Sequence, residues 1–255
     1  MRNFKYLCGS YILILVVGVS SYIIPVMYSM VTYCTQKEEN SNIAGILASI
    51  ALLIAGSLCV FVVKNQYGVK ISENIQRVSV KIILLTIITA MFYVISSIFI
   101  IYKPTLNEDA ELSPIIILLL VLASTIAPIG EELIYRFAML TTMIKIADGR
   151  KTITAASMIL VTLTWTIMHF SGSLLRNIDI IFMGVILTII YVLSKNIILS
   201  ILFHCAANAF TYLLAANYKA LFKFEFMPLF SIPAFIICFV LLCLTIFKGR
   251  KSCAV

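Results

Sequence analysis

The sequence predicts an all-α protein, a polytopic bundle of about eight transmembrane helices with both termini in the cytoplasm. Three observations carry this. Hydrophobic residues make up 62% of the 255 positions and charged residues 12%, about half the charge of a soluble globular domain. The charges are spaced so that they leave uncharged runs close to or above the ~20 residues a helix needs to cross ~30 Å of hydrocarbon. Within those runs apolar residues cover every face, whereas a membrane barrel alternates polar and apolar positions in segments of about ten.

Taken in order, the first run extends from Tyr6 to Gln36. It follows Arg2 and Lys5 as a signal peptide would, but it is too long for such a region and has no AxA cleavage site, so it is expected to stay as a helix. Asn40 to Val63 and Ile82 to Tyr102 supply the second and third spans, joined by the polar stretch Lys64 to Lys81. In the fourth, Leu112 to Gly130, Ser113 offers an N-cap and Pro114 suits the first helical position. Pro128 and Gly130 predict an interruption just before two glutamates. Thr152 to Leu175 is the fifth. Ile180 to Ser194 is short, and spans only if its flanks contribute or the bilayer thins. Asn196 to Tyr218 and Phe226 to Phe247 complete the set. No repeat or dividing linker is visible, which favours one membrane domain: an N-terminal three-helix region (1–112), a core (113–216), and a last helix with a basic tail (217–255).

Sidedness follows from the basic residues. In an eight-helix arrangement Arg2, Lys5, the Lys64 to Lys81 stretch, Lys145 to Lys151, Lys195 and Lys248 to Lys251 share one side, and only Lys37, Lys103, Arg176, Lys219 and Lys223 face the other. Glu38, Glu39, Glu108, Asp109 and Glu111 are then external. The net charge of +8 needs no nucleic-acid partner, because basic loops beside anionic lipid account for it. The seven cysteines follow no CxxC spacing and read as reduced, small hydrophobes. Cys253 falls one residue short of a prenylation box.

Ionisable groups inside a bilayer are costly unless paired or wetted, and therefore mark function. Of eleven acidic residues only Glu131 and Glu132 fall well inside an expected span, and both histidines, His169 and His204, do so too. On a resumed helix Glu132 and Arg136 stand four apart and can pair, while Glu131 points about 100° away, on the face of Tyr135. One carboxylate is thereby neutralised and its neighbour left to work as a general base or acid. His204 and Asn208 project from one face, an imidazole beside an amide donor that suits a developing oxyanion. His169, with Trp165 one turn earlier, can hydrogen-bond a water that Glu131 deprotonates.

At these residues the sequence resembles the CAAX protease and bacteriocin-processing (CPBP, or Abi) family of intramembrane peptidases, which includes the type II CAAX prenyl endopeptidases. Its signature, EExxxR, FxxxH and HxxxN or HxxxD, reads here as Glu131-Glu132 with Arg136, Trp165 with His169, and His204 with Asn208. Phe182, Gly184, Tyr191 and the Lys195-Asn196 turn look similar as well. Trp165 stands where the family usually has phenylalanine and Phe137 where glycine is common, both at packing positions. The likeness covers about residues 113 to 216.

The resemblance implies an endopeptidase in which Glu131 and His169 activate water, His204 and Asn208 stabilise the oxyanion, and Glu132 and Arg136 hold the site together. The substrate would be a peptide or protein in or at the membrane. One glutamate and two histidines also match a zinc set, but no HExxH motif is present and no intramembrane carboxylate remains to orient the histidines. A metal-free mechanism is favoured, with zinc on Glu131, His169 and His204 as the alternative. Rival readings are a catalytically silent bacteriocin-immunity or scaffold protein and a small-solute transporter; against the transporter, no inverted repeat is evident. Ile- and Asn-rich composition leans towards a bacterial cell membrane. His169 lies ~27 Å along a helix from Lys151, so the fifth helix must start late, tilt or rise above the bilayer for the site to assemble.

Overall fold

The structure, a computed structural model, describes residues 39–99, 114–216 and 227–252. Regular structure among them is helical, with no strand. The helices are α1 (Glu39–Tyr67), α2 (Val80–Ser97), α3 (Pro114–Glu132), α4 (Thr142–Ala147), α5 (Lys151–Met168), α6 (Leu174–Ser194), α7 (Ile197–Ala216) and α8 (Met227–Ser252). A short 3-10 turn, Ile71–Asn74, lies between α1 and α2, and a π-helical segment, Leu133–Thr141, joins α3 to α4. Six described helices contain segments long and apolar enough to cross a membrane: Ile46–Tyr67, Val80–Ser97, Lys151–Met168, Leu174–Ser194, Ile197–Leu214 and Leu229–Gly249. The first predicted run, Tyr6 to Gln36, lies outside the described residues, as do Ser113 and the acidic residues at 108, 109 and 111.

The chain forms two compact units, Met1–Ile75 with Ile126–Met168, and Gln76–Thr125 with His169–Val255. In the first, α1 packs on the π-helical segment. Leu52, Ala55, Cys59 and Val63 are buried on its inner face, while Ile54, Leu58 and Phe61 point outwards, as a lipid-facing stripe should. The packing turns on two glycines. A Cβ on Gly56 would lie 2.7 Å from the Gly130 carbonyl oxygen, and one on Gly130 would overlap the backbone of Leu52 and come within 2.6 Å of the Leu53 nitrogen. Only a residue without a side chain permits this approach, the small-residue crossing common between membrane helices. At the C-terminal end of α1, the Lys145 ammonium donates to the carbonyls of Tyr67 (2.9 Å) and Gly68 (3.4 Å).

This corrects the expectation of a break at Pro128 and Gly130. The α-helix runs through both to Glu132, and regular geometry changes only at Leu133. Pro128 is tolerated inside α3, and Gly130 serves a close helix crossing rather than an interruption.

In the second unit α2 packs against α7 and α8, and α6 packs against the same two helices. Tyr93 of α2 centres this core: its ring lies 6.0 Å from that of Phe203 and 5.6 Å from that of Phe235, both tilted. The flanks of the short sixth run do contribute. α6 starts at Leu174, where Ser173 accepts from the Arg176 amide as N-cap, and reaches 21 residues. It therefore takes in Asp179, an acid within a candidate span that the charge-bounded run excluded. The carboxylate is bonded to α2: Tyr93 Oη donates to Oδ1 at 2.5 Å and Ser97 Oγ at 2.8 Å. α6 closes on Lys195 in the left-handed region (φ 50°). Asn196 then caps α7, its Oδ1 accepting from the Ile198 amide at 3.0 Å while its Nδ2 donates to the Gln76 carbonyl at 2.8 Å.

The described cysteines Cys59, Cys205, Cys238 and Cys243 are unbridged, in keeping with their reading as small hydrophobes.

Candidate active site

Glu131 and Glu132 end α3, and Tyr135 and Arg136 lie in the π-helical segment that follows. Arg136 Nη1 donates to Glu132 Oε1 at 3.0 Å, and both side chains are 0% exposed. Two opposite charges can be buried this completely only together, because either alone would carry the full desolvation cost. The pair expected from i, i+4 spacing thus forms, although its second member already lies in π geometry. Thr141 Oγ1 donates to the Arg136 carbonyl five residues back at 3.1 Å. π-helical turns are rare and recur at functional sites.

Trp165 of α5 connects this segment to the neighbouring helix. Its indole Nε1 donates to Glu131 Oε2 at 2.8 Å, and the Arg136 guanidinium carbon lies 5.1 Å from the ring centroid, within cation-π range. Glu131 is 6% exposed and Trp165 3%. Of the adjacent carboxylates, Glu132 thus pairs with the Arg136 guanidinium and Glu131 accepts from the Trp165 indole. Tyr135 is buried in the same segment.

Trp165 is therefore more than a packing residue. Phenylalanine could fill the space and face Arg136, but it has no N–H for Glu131. The available signal was that Trp165 is the only tryptophan in the sequence and that a buried indole N–H needs an acceptor.

The remaining candidates belong to the second unit. His169 does not lie inside a span: α5 ends at Met168, and the histidine begins the turn leading to α6, half-buried. Nor does α5 start late. It begins at Lys151, with Thr152, Ala155 and Ala156 exposed. His204 is buried in α7, and Asn208 follows one turn later, half-buried. The structure thus gathers Glu131, Glu132, Arg136 and Trp165 in the first unit and carries His169, His204 and Asn208 on the second.

Six described helices of membrane-crossing length and composition define a multi-pass integral membrane protein, whose first unit holds a fully buried ion pair beside a hydrogen-bonded carboxylate. Residues 113–210, which hold all three motifs, match the family described as Rce1-like, type II CAAX prenyl endopeptidase. Over those residues the chain is similar to that family of intramembrane proteases. Searches of curated proteins and of solved structures returned no significant match.

Proposed function

We propose that the protein is an intramembrane endopeptidase that cleaves a membrane-associated protein or peptide with a water activated by Glu131. The observation that carries the reading is the bond from the Trp165 indole to Glu131, made beside a second carboxylate, Glu132, that pairs with Arg136. A general base must be held in place where it reacts, and the indole N–H holds the Glu131 carboxylate.

The reaction then runs as follows. The Glu131 carboxylate takes a proton from water as the water oxygen attacks the peptide carbonyl carbon, with His169 hydrogen-bonded to that water. His204 and Asn208 donate to the oxyanion. Collapse breaks the C–N bond, and the proton on Glu131 passes to the leaving amine. Glu132 and Arg136 maintain the segment that carries the base. We propose this metal-free form over zinc on Glu131, His169 and His204. Of the three zinc candidates, Glu131 is already engaged by the Trp165 indole.

The test uses purified full-length protein in lipid nanodiscs with a peptide library that includes farnesylated C-terminal CaaX peptides. Glu131→Gln, His169→Ala and His204→Ala should each reduce cleavage to background while melting stays near wild type. A wild type that cleaves nothing, or variants that keep full activity, would overturn the proposal. Loss of activity with a chelator and its recovery with zinc would replace the metal-free form by the zinc form. Liposome flux that depends on Glu131 would favour a transporter.

A further inference from the structure

The turn between α5 and α6, residues 169–173, has the composition of a mobile loop: His169, Phe170, Ser171, Gly172 and Ser173. Gly costs most to order, and an exposed tip of this kind has little packing to hold it. Phe170, Gly172 and Ser173 are exposed. Ser171 is nonetheless held at three points by one side chain. Its amide donates to Asn177 Oδ1 at 2.8 Å, its hydroxyl donates to the same oxygen at 3.0 Å, and its carbonyl accepts from Asn177 Nδ2 at 2.9 Å. Asn177, in the first turns of α6, is buried. A buried carboxamide is costly unless bonded, and here each end of the amide finds a partner on the turn.

Asn177 is fixed in its turn. Two residues on, Asp179 accepts from Tyr93 Oη and Ser97 Oγ of α2, and its carbonyl accepts again from Tyr93 Oη at 3.2 Å. The Tyr93 ring is packed between Phe203 and Phe235. A continuous series of bonds therefore runs from the core of the second unit through the start of α6 to Ser171, two residues from His169.

We infer that Asn177 is a positioning residue for His169, clasping the α5–α6 turn so that the imidazole is presented in one orientation. The effect on catalysis rests on the peptidase reading above; the effect on the histidine does not. A misplacement of about 1 Å can cost about 10²-fold in rate, so a turn left to sample many conformers would lower turnover without weakening substrate binding.

The chain contains two histidines, so nuclear magnetic resonance of histidine-labelled protein in nanodiscs shows two imidazole environments, assigned with His169→Gln. Asn177→Ala, which removes all three bonds, should broaden or split the His169 signal and leave that of His204 unchanged. On a cleaved library peptide, kcat should fall on the order of 10- to 100-fold with KM nearly constant. Asn177→Asp keeps both bonds to Oδ1, should be intermediate, and carries the test if the alanine variant does not fold. Both variants showing wild-type His169 signals and wild-type kcat would overturn the inference while leaving the peptidase intact. A change confined to His169 in a protein that cleaves nothing would uphold the positioning role and remove the peptidase.

Discussion

In the first unit the polar side chains of the site bond to one another: Arg136 to Glu132 one turn back, Trp165 of α5 to Glu131, and the guanidinium against the indole. In the second unit the polar bonds that frame the candidate residues lie where helices begin and end, from Asn177 to Ser171, from Ser173 into α6, and from Asn196 to Ile198 and Gln76. The difference follows from charge. An acid and a base inside hydrocarbon must satisfy each other, whereas a histidine can be neutral and needs only a backbone that presents it correctly. Substitutions should accordingly cost stability in the first unit and precision in the second.

The largest expected effect is that of Arg136→Leu. Glu132 would be left buried without its counter-charge, at a cost of about 3–5 kcal/mol, read as a lower midpoint of unfolding in detergent. A midpoint within error of wild type would show that the pair does not hold the first unit. Trp165→Phe should come next. It keeps the ring facing Arg136 and deletes the donor to Glu131, with an expected loss of about 1.5–3 kcal/mol for a hydrogen bond to a carboxylate and reduced cleavage. Wild-type stability and turnover in this variant would mean that Glu131 is oriented by something other than the indole. Asn196→Ala should be the smallest. Loss of the α7 cap is expected to cost about 1 kcal/mol without altering the Glu132–Arg136 pair, and a loss matching that of Arg136→Leu would erase the contrast between the units.

How much of this could be read beforehand varies with the residue. The Glu132–Arg136 pair was legible because a charge in an apolar run stands out and i, i+4 spacing is local. His169 was misplaced because the run was bounded by charges alone; the Ser171-Gly172-Ser173 cluster was a turn signal within it. Asp179 was missed by the same logic, since treating each charge as the end of a span excludes an acid that a tyrosine and a serine have bonded. Gly130 was noticed but misread. Its reason is Gly56, on another helix, and a glycine's own sequence context does not tell a break from a close approach.

The class of the molecule, its helices and the residues worth suspecting came from the sequence, because hydropathy and charge belong to each residue and add up along a run. Only the tertiary structure decided who bonds to whom: that the indole of Trp165 serves Glu131, that Asp179 is tied to α2, and that Asn177 clasps the turn after His169. Hydrogen bonds and backbone crossings depend on the placement of atoms far apart in the chain to within a fraction of an ångström, and no local sum contains that information.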